Sequence, residues 1–80
     1  MSKKRVHHLK TVNPYFTDAM VGKKNFEIRK NDRDYKVGDL LNLREYYPND
    51  DAYSGRTVVR EVVYMTDYGQ QDDYIVMGVR

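Results

Sequence analysis

The chain has no cysteine, and only two prolines and five glycines among its 80 residues. The lack of cysteine excludes disulfides, thiolate metal sites and cysteine nucleophiles together. A small domain that does without disulfides fits a reducing compartment, so the cytoplasm is the expected location. Proline and glycine are too scarce for a disordered tract. No apolar run approaches the roughly 20 residues that span a bilayer. The basic start, Met1-Ser2-Lys3-Lys4-Arg5, has no apolar segment behind it, so neither a membrane span nor a secretory signal is expected. A glycine-rich phosphate loop is missing too, as is any serine–histidine pairing that spacing alone would justify. His7 and His8 are adjacent, and neighbours on a strand point to opposite faces. With no cysteine or nearby carboxylate to complete a ligand set, neither a metal nor another cofactor is expected.

What remains is a short, charged chain with eight tyrosines. A chain of this length buries only roughly 60–65% of the surface its unfolded form exposes. One compact domain over residues 1–80 is therefore expected, with residues 1–5 as a basic arm. The net charge of +2 hides an asymmetry. Residues 1–44 carry eleven basic and five acidic side chains, and residues 45–80 carry three basic and seven acidic. Either one face attracts phosphate, or the halves interleave in one sheet and the field averages out.

Hydrophobic patterning gives five strands and one helix. Val6 to Lys10 predicts a first strand with His7 and Leu9 on one face. Asn13-Pro14 is a helix start, asparagine as cap and proline at the first helical position. Phe16, Ala19 and Met20 form an apolar stripe, and Gly22 ends the helix. The second strand is predicted over Lys24 to Arg29, where Phe26 and Ile28 would enter the core and Glu27 and Arg29 would share the opposite face. Leu40 to Glu45 gives a third strand with Leu41 and Leu43 together, and Tyr46 to Arg56 reads as a loop. Thr57 to Thr66 has apolar residues on both faces, the mark of a central strand bulged near Arg60-Glu61. Tyr74 to Val79 closes the chain with Ile75, Met77 and Val79 inward. The expected fold is mostly β, a small open barrel of about five strands with one short helix between the first two.

Gly22-x-Lys24-x-x-Glu27-x-Arg29 resembles the GxKxxExR signature of ASCH domains, which belong to the PUA-like group of small β-barrels. The chain is similar from end to end to one bacterial and phage branch, the DUF3850 family. The matching residues are His7-x-Leu9-Lys10, Pro14-Tyr15-Phe16, Phe26-Glu27-Ile28-Arg29-Lys30-Asn31-Asp32-Arg33, Val37-Gly38-Asp39, Tyr53-x-Gly55-Arg56 and Tyr74-Ile75-Val76-Met77. The resemblance implies a PUA-like pseudo-barrel with a cleft and a role in binding RNA or a nucleotide-like ligand. Some small ASCH proteins resemble amidohydrolases that remove acyl groups from N4 of modified cytidine. Those carry lysine at the place of Lys24, but threonine at the place of Glu27 and a further glutamate from a helical insertion before the last strand. Here only Lys24 transfers, because the segment from Thr66 to Tyr74 is too short for that insertion.

The expected ligand-binding residues are Lys10, Lys24, Glu27, Arg29, Lys30 and Arg33, with Tyr46 and Tyr53 as stacking partners for bases. Glu27 either orients Arg29 or Lys24, or accepts from a base or ribose donor. The structural alternative is an ordinary ion pair between Glu27 and Arg29, worth roughly 0–1 kcal/mol if exposed. Binding without catalysis is the leading expectation. A hydrolase of modified nucleosides using Lys24 and Glu27 for proton transfer is the alternative, and a phage or mobile-element protein that binds a host protein is a third.

Overall fold

The computed structural model describes residues 5–80, so Met1–Lys4 of the expected basic arm lie outside the described residues. Arg5 is fixed, donating to the Asp34 carbonyl and to Asp39 Oδ2. The elements are β1 (Val6–Thr11), α1 (Tyr15–Met20), β2 (Phe26–Lys30), β3 (Leu40–Tyr47), β4 (Ala52–Thr66) and β5 (Tyr74–Val79). They form one five-stranded sheet in the order β1-β3-β4-β5-β2, with β1 parallel to β3 and the other pairs antiparallel. β4 is long enough to serve two partners. Its first part pairs with β3 and its end with β5, across an irregularity between Val62 and Tyr64. That irregularity lies a little beyond the Arg60-Glu61 position predicted from sequence.

One sequence expectation changes at the β3–β4 connection. The predicted loop from Tyr46 to Arg56 is largely strand: Tyr46 pairs with Tyr53 and Tyr47 with Ala52 in a tight hairpin. The sheet also does not close on itself. Its hydrogen-bonded ladder ends at β1 on one side and β2 on the other.

The core is gathered by the inward faces of β1, β3, β4 and β5, with α1 laid over them. Leu9, Phe16, Ala19, Tyr35, Leu41, Leu43, Val62, Ile75, Met77 and Val79 are all buried. Phe16 and Ala19 are the buried part of the helix stripe, while Met20 stays exposed. A helix this short is held by packing rather than by its own propensity.

β2 reverses the predicted inside and outside. Glu27 is 4% exposed, whereas Phe26 and Ile28 are 45% and 48% exposed. The period of two is present, but its polarity is inverted. The reason lies in the neighbours: β2 is an end strand, and its inner face looks across a gap at the open backbone edge of β1. That edge needs hydrogen-bond donors, which Phe26 and Ile28 do not have and Arg29 does.

A second buried polar cluster fixes the start of β3 to β1. Asp39 Oδ2 accepts from Arg5 at 3.0 Å and from the Lys36 N–H at 3.0 Å, and meets His7 Nε2 at 2.8 Å. His7 also packs edge-on against Tyr35, with ring centroids 4.6 Å apart. Burial alone would raise the Asp39 carboxyl, but the hydrogen bonds from His7, Lys36 and Arg5 outweigh it and hold its pKa below the ordinary value. A carboxyl whose folded pKa is depressed contributes stability above its unfolded pKa, near 3.9, and loses it as pH falls through the folded value. Urea denaturation at a series of pH values is therefore expected to show stability falling below about pH 4. Asp39→Asn should be less stable at neutral pH and flatter across that acid range. An unchanged acid limb in the variant would contradict this assignment.

Candidate functional site

Between the two free ends of the sheet lies a cleft of about 580 Å³. The register shows which backbone groups face it. Leu40 N donates to Arg5 O at 2.8 Å, so the odd-numbered residues of β1 bond to β3 and those of His8 and Lys10 point to the open edge. Val79 N donates to Asn25 O and Asn31 N to Asp73 O. Phe26, Ile28 and Lys30 accordingly turn their backbone groups to the open edge of β2.

The connection through α1 delivers Lys24 to this gap. The Asn13 side-chain oxygen accepts from the Thr17 N–H at 3.1 Å and from its hydroxyl at 2.7 Å. The Asn13 amide nitrogen donates to the buried Glu45 at 2.7 Å. One side chain thus ties the start of α1 to β3. At the far end Asp18 O accepts from Lys23 N at 2.9 Å and Lys24 N at 3.0 Å. Gly22 makes the reversal with φ +84°, a conformation that glycine adopts without the Cβ penalty. β2 starts only at Phe26, two residues later than the sequence pattern suggests. Strand alternation therefore does not bind Lys24, and its Nζ donates to both Glu27 Oε1 and, at 2.7 Å, Phe26 O.

Glu27 forms the floor. Lys24 holds one carboxylate oxygen, and Arg29 Nε approaches the other at 3.3 Å. A lone buried carboxylate would cost several kcal/mol, and two flanking cations offset that cost. Arg29 reaches further. Its Nη2 donates to Lys10 O at 3.1 Å and lies 3.4 Å from Thr11 Oγ1. Arg33 Nη1 donates to His8 O at 3.0 Å. The two open carbonyls of β1 are thus capped by two arginines from the β2 side. Side chains bridge the ends where backbone pairing does not. Arg29 Nη1 has no acceptor among the described residues, so part of its fork remains available.

The eight residues picked from sequence divide evenly. Lys10, Lys24, Glu27 and Arg29 line the cleft, together with Thr11, Val12, Tyr15, Asp18, Lys23, Phe26 and Ile28. Lys30 alternates with Arg29 to the outer face beside Tyr74, and Arg33 sits on the β1 edge. Tyr46 and Tyr53 belong to the outer face of the hairpin, with ring centroids 5.2 Å apart. The Tyr46 hydroxyl donates to Asp51, which with partial burial raises its pKa. Sequence reasoning placed Phe26 and Ile28 in the core and did not single out Thr11, Val12, Tyr15, Asp18 or Lys23 as ligand-binding, although Tyr15 belongs to the matching Pro14-Tyr15-Phe16. The available signal was their position in or beside the helix, between the first two predicted strands.

The charges partly segregate. Lys10, Lys23, Lys24 and Arg29 face the cleft against Asp18 and Glu27, while Asp67, Asp72 and Asp73 line a separate hollow of about 420 Å³ near the β4–β5 loop. The remaining buried carboxylate, Glu45, is held by Asn13 and lies 3.3 Å from Arg56 Nε. Hydrogen bonds from Ser54 and Asn13 keep its pKa below the ordinary value despite burial.

A family model described as a domain of unknown function, DUF3850, matches residues 6–79. The chain belongs to the DUF3850 family. It is also 34% identical over 74 residues to a protein of Escherichia phage P2 described as an uncharacterized 12.9 kDa protein in the GpA 3′ region. The match covers 91% of this chain and 66% of the phage protein, so the chain spans just under two-thirds of that relative. The family match takes in every strand and the helix, and with them all the residues that line the cleft. No helix among the described residues is long and apolar enough to cross a membrane.

If Glu27 is the anchor of the cleft floor, its loss strands two cations. Glu27→Ala is expected to cost about 3 kcal/mol in urea denaturation. A cycle of Lys24→Met, Glu27→Met and the double variant should give a coupling energy of about 1 kcal/mol or more. Strict additivity of the two single changes would reduce the pair to an ordinary surface contact.

Proposed function

We propose that this protein binds RNA or a nucleotide-like ligand in the cleft between β1 and β2, and that its open sheet is an ASCH-type, PUA-like pseudo-barrel. The observation that carries the reading is the composition of the cleft. Lys10 and Lys23 line it without a carboxylate partner among the described residues, the apolar surfaces of Val12, Tyr15, Phe26 and Ile28 line it, and a buried carboxylate forms its floor. A phosphorylated heterocycle has the complementary parts. Its phosphate meets the unpaired ammonium groups, its ring lies on the apolar walls, and its N–H donors meet the lone pairs that Lys24 and Arg29 leave on Glu27. The GxKxxExR resemblance supports the same assignment, since Lys24, Glu27 and Arg29 are its charged members.

Binding fits the site better than hydrolysis. Lys24 donates to a carboxylate and a carbonyl, an arrangement that holds an ammonium in place rather than presenting a free base. Glu27 is engaged on both oxygens by protein cations.

Isothermal titration at low salt with nucleoside monophosphates and short RNA tests the proposal. Dissociation constants below about 1 mM are expected. Lys10→Ala and Lys23→Ala should each weaken RNA binding and lower the salt slope by about 0.7. Affinity weaker than millimolar for every nucleotide and oligonucleotide would remove the proposal.

A further inference from the structure

Outside the cleft, the solvent face of β1, β3 and β4 carries a square of two cations and two tyrosines. The register sets Lys10 beside Arg44 on neighbouring strands, and Tyr46 beside Tyr53 in the next row. Lys10 Nζ stands 4.5 Å from the Tyr46 ring centroid, and the Arg44 guanidinium 3.9 Å from that of Tyr53. Neither cation has an ion-pair partner among the described residues. Asp51, in the hairpin turn, accepts from the Tyr46 hydroxyl and makes no ion pair with either cation. Beyond the square, the His8 ring and the Asn42 amide are joined at 3.0 Å on the same face. Lys10 belongs to both places, because it also lines the cleft.

We infer that this square is a second subsite, which receives the next nucleotides of a single-stranded polynucleotide whose first nucleotide occupies the cleft. The inference rests on the cleft reading and adds the polymeric nature of the ligand and its path. Two cations that make no ion pair among the described residues, on an open face, attract a polyanion. The tyrosine ring faces are partly covered by the protein's own cations, so the stacking surface offered to a base is the Arg44 guanidinium backed by Tyr53, a plane on which unpaired bases stack. From β1 to β4 the path crosses two strand spacings, about 10 Å. A duplex keeps its bases inside its own stack and cannot use such a surface.

The test compares a nucleoside monophosphate, a single-stranded tetranucleotide of RNA and of DNA, and a short duplex. Each is titrated into the wild-type protein and into Arg44→Gln, with melting curves to show that the variant is folded. Affinity is expected to rise about tenfold or more from mononucleotide to tetranucleotide. Arg44→Gln should remove about tenfold of the tetranucleotide affinity and about 0.7 of its salt slope, leaving the mononucleotide within about twofold. Affinity independent of length, an unaffected Arg44→Gln, or tighter binding of duplex than of single strand would overturn the second subsite while leaving the cleft reading intact. Arg44-dependent binding of the tetranucleotide without mononucleotide binding would support the square and remove the cleft reading. Absence of all binding would remove both. The RNA and DNA arms identify which polymer is preferred.

Discussion

Two arginines, Arg29 and Arg33, hold the two ends of this sheet together, and one buried carboxylate, Glu27, holds the first of them. Glu27 and Arg29 sit two residues apart on the inner face of β2, and Arg29 extends from there to the open carbonyl of Lys10. Without Arg29, the Lys10 carbonyl would face the gap unpaired and Glu27 would keep Lys24 as its cation among the described residues. The ladder of backbone hydrogen bonds stops at both strands, and side chains take over. A cleft exists here because the bridge is made of long side chains, which hold the edges together at a separation that backbone pairing would not allow.

That constraint sorts the cations by role. Lys24, Arg29 and Arg33 donate to protein acceptors and set the shape of the site. Lys10 and Lys23 line the cleft without a carboxylate partner among the described residues. The residues most prominent in the sequence motif are therefore mainly builders of the cleft, and less conspicuous lysines beside it carry the free charge. A preorganised floor of this kind needs little reordering when a ligand enters, which is where binding free energy is otherwise lost.

Much of the architecture was legible from pattern, because apolar pairs such as Leu41 and Leu43, or Ile75, Met77 and Val79, alternate on strands with one covered face. The parallel pairing of β1 with β3 could not be read, since nothing in either strand encodes its partner's direction. The hairpin at Tyr46 and Tyr53 was hidden by Pro48, Asn49 and Asp50, which mark a turn without revealing how short it is. The inverted face of β2 is the instructive failure. Phe26 and Ile28 look like core to any rule that buries apolar residues, and the rule breaks because this strand borders a cleft whose opposite wall is open backbone. Asp39 and Glu45 were missed for a related reason. Each is a buried carboxylate whose partners, His7 and Arg5 or Asn13 and Arg56, come from distant parts of the chain. The charged members of the motif, Lys24, Glu27 and Arg29, all line the cleft, whereas strand alternation turns Lys30 away and Tyr46 and Tyr53 belong to the β3–β4 hairpin.

The most direct test of the cleft is a nuclear magnetic resonance titration of isotope-labelled protein with a nucleoside monophosphate and with short RNA. Backbone amide shifts are expected at Thr11, Lys23, Lys24, Glu27 and Arg29, with the acidic segment from Asp67 to Asp73 unmoved. Shifts confined to that acidic segment, or no shifts at millimolar ligand, would contradict the cleft reading.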